Sequence, residues 1–292
     1  MKQIAAYVAD YFRGINKIHL ALSTLIVFIL ILFNYYFGLD QWLTAPASFP
    51  TRLGRYYLLF AGSFIFTWLS GFALTRVRPP GATYFYLLLM ASPLIFSIKV
   101  NLQVNELFNL NSSYLNTVLL WPLKSLTTIL LSGALWMAGK NSRPFAGLSA
   151  RGFDARPYLL MLGLMLPLLL LAGQGADFQK VYPKLQMLTP SATGWQKVFF
   201  ELCYGMDFFT IELFFRGFLV LSFIKYGGSR AVLPMAVFYC TIHFGKPMAE
   251  CISSYFGGLI LGIVVHRTRS IWGGLMVHLG IAWMMEAIGL VL

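Results

Sequence analysis

The sequence predicts an all-α protein, a polytopic transmembrane helix bundle of eight or nine spans. Of its 292 residues, 58% are hydrophobic and 11% are charged, and the mean hydropathy is +0.71. Soluble domains are closer to ~25% charged. Several runs of about 18 or more residues carry almost no charge, which is the length needed to cross a bilayer as a helix. This composition excludes a disordered chain, a secreted disulfide scaffold and a soluble nucleic-acid binder.

Nine apolar runs are the candidate spans. They lie at residues 18–38, 56–75, 83–99, 115–138, 157–173, 199–224, 231–244, 249–266 and 270–291. The first run is longer than the ~7–15 apolar residues of a cleaved signal peptide, so we interpret it as the first span.

The basic residues predict an orientation. With the N-terminus in the cytoplasm, thirteen Lys and Arg residues lie in inside segments and seven at outside ends. Cytoplasmic loops carry an excess of Lys and Arg, so this bias favours an odd number of spans and explains the net charge of +12. We therefore expect a lipid bilayer, and no nucleic acid, as a partner.

Two domains are predicted on either side of a basic linker at residues 140–156, which contains Pro, Gly and Ser. Residues 1–156 hold the first four spans and this linker, which we expect to be cytoplasmic. Residues 157–292 hold nearly all the ionisable groups that fall inside spans. Residues 101–114 are rich in Asn and predict an extramembrane loop.

Ionisable residues in the C-terminal spans are the candidate functional groups. An intramembrane charge costs ~2.5–3.5 kcal/mol on insertion scales, so such groups face the bundle interior and usually mark a functional site. The set comprises Asp207, Glu212, Arg216, His243, Glu250, His278 and Glu286.

The spacing of these residues predicts one shared polar cavity. Glu212 and Arg216 are four residues apart and face the same side of a helix, either as a structural ion pair or as a carboxylate oriented by a guanidinium. At ~1.5 Å per residue from the inner ends of the spans, six of these groups fall in one layer about 13 Å thick, namely Glu212, Arg216, His243, Glu250, His278 and Glu286. Glu250 lies in the first turn of its helix, and Lys246 precedes it by one turn, so capping and pairing are alternatives to a site role.

A glutamate and two imidazoles suit peptide hydrolysis, which needs a base for water and donors for the developing oxyanion. Glu212, His243 and His278 could instead hold a divalent metal such as zinc. The sequence has neither an H-E-x-x-H helix nor a G-x-S-x-G elbow, which argues against common zinc and serine hydrolases.

Three motifs resemble the CAAX protease and bacteriocin-processing family of intramembrane proteases, the Abi proteins. They are Glu212-x-x-x-Arg216-Gly217, His243 near the end of the next span, and Gly273-Gly274-x-x-x-His278 in the last span. The family pattern is Glu-Glu-x-x-x-Arg, then Phe-x-x-x-His, then His-x-x-x-Asn or Asp. The resemblance covers about residues 197–290 and implies catalytic roles for the matched Glu, Arg and both His.

The chain departs from the family pattern at three positions. Ile211 replaces the first Glu, which is usually assigned to water activation; Tyr239 replaces the Phe; and Ala282 replaces the Asn or Asp. Either another carboxylate substitutes, with Glu250 the better candidate and Glu286 the next, or peptidase activity has been lost.

The resemblance thus implies an intramembrane endopeptidase, metallo- or glutamate-type, in the bacterial cytoplasmic membrane. Its substrate would be a membrane-associated protein or peptide, with Glu212 or Glu250 activating water and His243 and His278 polarising the carbonyl or binding a metal. The alternative is a catalytically inactive member that binds a peptide as an immunity or scaffold protein. A proton- or ion-coupled transporter would also use intramembrane carboxylates and histidines, but we find no internal repeat.

Overall fold

A computed structural model describes residues 2–79, 81–108, 110, 112–141 and 144–292, and within them the chain is helical without a β-strand. The helices are, in chain order, α1 (Lys2–Gly14), α2 (Lys17–Phe37), α3 (Leu39–Thr44), α4 (Phe49–Thr75), α5 (Thr83–Asn101), α6 (Val104–Phe108), α7 (Ser113–Val118), α8 (Leu120–Ala138), α9 (Arg156–Gly173), α10 (Ala176–Gln179), α11 (Gly194–Glu212), α12 (Leu221–Gly227), α13 (Val232–Thr241), α14 (Met248–Thr268) and α15 (Trp272–Val291). A π-helix, Leu213–Val220, joins α11 to α12. The predicted fold class, an all-helical polytopic bundle, is confirmed.

Seven helical segments are long and apolar enough to cross a membrane: α2, α4, α5, the α7–α8 segment, α9, α14 and α15. The protein is therefore an integral membrane protein. The two other predicted spans also correspond to helices, namely the continuous α11–α12 segment and α13. Helix α13 has only 10 residues, all of them buried, and rises only ~15 Å. The predicted span 231–244 is thus a short helix followed by a turn, a break that a bilayer tolerates where protein surrounds it.

Contacts between linkers and helix ends define two opposite faces of the bundle. On one face, which we call the inner face, the hydroxyl of Ser270 donates to the carbonyl of Ser149 at 2.6 Å. On the opposite, outer face, the backbone N–H of Lys184 donates to the Glu286 carboxylate at 2.8 Å. The assignment of the inner face to the cytoplasm stays a prediction.

An aromatic core joins the N-terminal spans to the C-terminal ones. The ring of Phe238 in α13 lies 5.1 Å and 5.6 Å from the rings of Phe60 and Phe64 in α4, and 6.0 Å from that of Phe96 in α5. Helices α4 and α5 therefore pack against α13 and hold it in place. The boundary predicted between residues 156 and 157 stays a prediction, and residues 142 and 143 of the basic linker lie outside the described residues.

Helices outside the spans were not anticipated. Helix α1 buries Ile4 and Tyr11 on one face and packs against α14 on the inner face. Residues 174–193, an outside loop in the prediction, contain α10 and a 3₁₀ turn, Lys184–Met187. The loop predicted at residues 101–114 contains α6 and α7, and its residues 109 and 111 lie outside the described ones.

Lys99, one of the seven basic residues assigned to outside ends, is buried in the structure. It was predicted to mark an outer end, but it is 4% exposed and its Nζ lies 2.7 Å from Oδ1 of Asp207. The ion pair offsets the cost of burying both charges between helices α5 and α11. Asp207, one of the intramembrane carboxylates, thus has a structural partner.

Candidate active site

Glu212 and His278 are in direct contact across two helices. Nδ1 of His278 donates a hydrogen bond to Oε1 of Glu212 at 2.9 Å, and Nη1 of Arg216 lies 3.2 Å from the same oxygen. Glu212 is completely buried and Arg216 is 1% exposed. A buried carboxylate is costly without a charged partner and hydrogen bonds, and these two neighbours supply them. The predicted orientation of Glu212 by Arg216 corresponds to this geometry.

The local backbone explains this close approach. Glu212 ends α11, and the π-helix that follows carries Arg216; π-helical turns inside α-helices often occur at functional sites. In α15, Gly274 faces the carboxylate, and a methyl group built on it would lie 2.5 Å from Oε2 of Glu212. Gly274, the second glycine of the Gly-Gly pair before His278, therefore makes room for Glu212, whereas Gly273 faces Tyr158.

Tyr239 connects the two histidines. Its hydroxyl lies 3.1 Å from Nε2 of His278, and its ring centroid lies 4.7 Å from that of His243. The guanidinium of Arg216 stacks on the same ring, with Cζ 3.7 Å from the centroid, a cation–π contact. One side chain thus touches Arg216, His243 and His278.

His243 has a defined tautomer. Its Nδ1 lies 3.0 Å from the backbone carbonyl of Tyr239, one turn earlier, just beyond the end of α13. A carbonyl oxygen only accepts, so Nδ1 carries the hydrogen and the neutral ring presents a lone pair on Nε2. The described residues give Nε2 no hydrogen-bond partner, and the ring is only partly buried. His243 can therefore accept a proton at this atom.

A metal fits this donor set poorly. Among the described residues, no group of three or more His, Cys, Asp or Glu side chains is placed to hold a metal ion. Both nitrogens of His278 already have protein partners, Glu212 and Tyr239. The metal role predicted for Glu212, His243 and His278 stays a prediction, and we derive no step through a metal.

Glu250 belongs to a separate cluster on the outer face. The hydroxyl of Tyr182 lies 3.1 Å from each of its oxygens, and Nζ of Lys246 lies 3.3 Å from one of them. Nζ of Lys246 also donates to the Tyr182 hydroxyl at 3.0 Å. None of the hydrogen bonds of Glu250 within the described chain reaches Glu212, His243 or His278. The capping and pairing alternative therefore matches what Glu250 contacts.

Burial and nearby charges shift the pKa values around this outer cluster. Burial and then the charge of Glu250 raise the pKa of the Tyr182 hydroxyl. Burial and then the charge of Lys246 lower the pKa of Lys184 to about 8. Burial opposes the charge of Lys246, but the neighbouring Glu250 carboxylate outweighs it and raises the pKa of Lys246. Lys246 and Glu250 thus stabilise each other as an ion pair, whereas the charge of Lys246 disfavours the charged form of Lys184.

Glu286 anchors the segment between α10 and α11. Its two oxygens accept from the backbone N–H groups of Lys184 and Leu185, at 2.8 Å and 3.3 Å. Its carboxylate is therefore committed to the 3₁₀ turn rather than to the histidines.

Two of the three departures from the family pattern, Ile211 and Ala282, are buried apolar residues. Ile211 is 9% exposed and belongs to the main hydrophobic core, and Ala282 is 3% exposed. Apart from Glu212 itself, which bonds His278, no carboxylate forms a hydrogen bond with either histidine of the site within the described part of the chain. The sequence did not indicate that Tyr239 would connect the site; its replacement of the family Phe by a hydroxyl-bearing ring was the available signal.

One family model matches the chain, and its match coincides with the residues that build this site. Residues 195–284 match the family described as type II CAAX prenyl endopeptidase, Rce1-like. No curated protein and no solved structure gives a significant match. The match begins in α11 and ends in α15, so it spans Glu212, Tyr239, His243 and His278. The C-terminal part of this integral membrane protein is therefore similar, over residues 195–284, to the Rce1-like type II CAAX prenyl endopeptidases.

Proposed function

We propose that the protein is an intramembrane endopeptidase that hydrolyses a peptide bond in a membrane-associated protein or peptide, with a prenylated C-terminal peptide as the substrate class. The observation that carries this proposal is the chain of contacts from Glu212 through His278 to Tyr239, beside a His243 whose Nε2 has no hydrogen-bond partner among the described residues. The family match supports the reaction class. The resemblance to bacteriocin-processing proteins supports the bacterial cytoplasmic membrane as the location.

His243 is the general base in this proposal. Its Nε2 removes a proton from water, and the resulting hydroxide adds to the carbonyl carbon of the scissile bond. When the carbon–nitrogen bond breaks, the same proton passes from His243 to the leaving amine. General acid–base catalysis of this kind contributes ~10²–10⁴-fold.

Tyr239 stabilises the oxyanion. Nδ1 of His278 donates to Glu212 and Nε2 lies 3.1 Å from the Tyr239 hydroxyl, so the hydroxyl is held where it can donate its hydrogen to the substrate oxygen as the oxyanion forms. Such a donor, fixed before the reaction starts, is worth ~10²–10³-fold in rate. Glu212 and Arg216 are positioning residues for His278, because both are shielded from any substrate by burial.

Cleavage of a quenched fluorescent, farnesylated peptide in proteoliposomes tests the proposal. We expect wild-type protein to cleave it and His243→Ala to lose at least 100-fold in kcat. His266→Ala is the control and should keep wild-type activity, because His266 lies in the last turn of α14, at the inner face. Cleavage by His243→Ala at the wild-type rate would refute the role of His243. Failure of the wild type to cleave either farnesylated or unmodified transmembrane peptides would refute the enzymatic assignment.

A further inference from the structure

A basic cleft on the inner face lies outside the candidate active site. It has a volume of about 370 Å³ and is lined by Lys140, Lys225 and Arg269 together with Trp136, Leu221 and Ile224. Lys140 follows α8, Lys225 lies in the last turn of α12, and Arg269 follows α14. Three helix ends distant in sequence thus place their cations around one opening, which we call the inner cleft.

No carboxylate balances these charges. The chain has ten acidic residues, all described, and none of them lines the inner cleft. Lys140, Lys225 and Arg269 form no ion pair in the part of the chain that the structure describes. Three like charges around one opening repel one another, and a bound anion would remove that repulsion.

Helix capping explains only one of the three cations. Nζ of Lys225 donates to the carbonyl of Gly139 at 3.0 Å, a common way to satisfy the end of a helix. The side chains of Lys140 and Arg269 make no hydrogen bond to any described residue, and both are exposed. Their charges are therefore available to a ligand.

An apolar strip leads from the inner cleft into the membrane. On α8, Leu126, Leu130 and Met137 are 57%, 62% and 72% exposed, and their spacing places them on one face of the helix. Met137 precedes Lys140 by one turn. An acyl chain would therefore find a hydrocarbon surface directly above a phosphate held by the cations, which a free anion would not use.

We propose that the inner cleft binds the phosphate group of an anionic phospholipid, with an acyl chain along the exposed face of α8. Basic pockets between transmembrane helices at the membrane surface bind anionic headgroups in this way, and each nearby cation contributes about 1 kcal/mol, or roughly fivefold in affinity.

Native mass spectrometry of the detergent-purified full chain tests this assignment. The probes are phosphatidylglycerol and phosphatidylcholine with identical palmitoyl and oleoyl chains. We expect one phosphatidylglycerol to be retained in preference to phosphatidylcholine. Two cations lost in Lys140→Gln/Arg269→Gln should weaken its binding by roughly 25-fold.

A matched control removes the same charge elsewhere. The double variant Lys180→Gln/Lys197→Gln alters two exposed lysines of the outer face and should change the affinity less than threefold. Thermal unfolding of both double variants checks that each remains folded. Equal retention of the two lipids, or equal losses in the two double variants, would refute the inner cleft as the site.

Inorganic phosphate separates a lipid from a free anion. We expect millimolar phosphate to leave phosphatidylglycerol bound, because the acyl chain contributes its own contacts on α8. Displacement of the lipid by phosphate, or an unchanged affinity in Leu130→Ser/Met137→Ser, would show that the cleft binds free anions and would overturn the lipid assignment.

Discussion

Nδ1 of His278 lies 2.9 Å from Oε1 of Glu212, so a residue near the start of α15 is fixed by a carboxylate at the end of α11. The carboxylate accepts from Nδ1 and thereby determines which nitrogen of His278 faces Tyr239. Orientation of an imidazole by a buried acid is a recurring feature of hydrolytic sites.

Replacement of Glu212 by Gln should weaken the hold of residue 212 on the His278 ring while keeping the size of the side chain. The neutral amide offers Arg216 no charge, and its oxygen accepts a weaker hydrogen bond from Nδ1 of His278 than a carboxylate does. We expect kcat for the farnesylated peptide to fall by ~10²–10⁴-fold, with KM changed less than threefold. A variant that lost substrate affinity and kept kcat would instead indicate a binding role for Glu212.

Replacement of Tyr239 by Phe restores the family residue and removes the hydroxyl. The ring can still contact Arg216 and His243, so we expect a stable protein whose kcat falls by ~10²-fold. Tyr255→Phe is the control, because within the described chain its hydroxyl bonds only Thr24, at 2.9 Å, away from the site.

A second substitution makes the Tyr239 test sharper. If the hydroxyl compensates for the missing Asn or Asp at position 282, Tyr239→Phe/Ala282→Asn should recover part of the lost rate. A Tyr239→Phe variant with full activity would exclude an oxyanion role for the hydroxyl.

Gly274→Ala should displace the Glu212 carboxylate through a steric clash, without changing any polar group. The added methyl would lie 2.5 Å from Oε2 of the carboxylate, too close without a shift of the helix or the side chain. We expect at least a tenfold loss of kcat and a destabilisation of ~1–3 kcal/mol, typical of overpacking in a core. Gly257→Ala in α14 is the matched control, because its added methyl has no atom within 4 Å.

Glu250→Gln should leave chemistry largely intact, in contrast to Glu212→Gln. Its partners are Tyr182 and Lys246, and loss of its charge weakens that network by ~1–3 kcal/mol. We expect a lower unfolding temperature and a kcat within fivefold of wild type. A loss of 100-fold or more in kcat would assign water activation to Glu250, the role that the motif comparison suggested.

Ile211→Glu restores the first Glu of the family pattern in a position that the structure fills with an apolar core residue. Because Ile211 is 9% exposed and next to Glu212 in the chain, a second carboxylate would lack a charged partner. We expect destabilisation of about 2 kcal/mol or more and no gain in cleavage. Increased cleavage would instead favour the hypothesis that the natural chain has lost activity.

The sequence by itself determined the membrane class, the approximate spans and the resemblance of the C-terminal part to a family of proteases. Hydropathy is a local property, so the candidate spans could be located from runs of apolar residues. The i,i+4 spacing was enough to pair Glu212 with Arg216. The motif order also predicted that His278 and Glu212 would share a site.

Only the tertiary structure decided which polar groups meet. Depth along a span places a residue in a layer but does not give the direction of its side chain, so Glu250 and Glu286 looked equivalent to Glu212 by position. Helix packing directs Glu250 to Tyr182 and Glu286 to the turn at Lys184, whereas the short α13 places Tyr239 between the two histidines. These contacts join helices far apart in the chain, and their geometry depends on how large side chains and glycines fill the core.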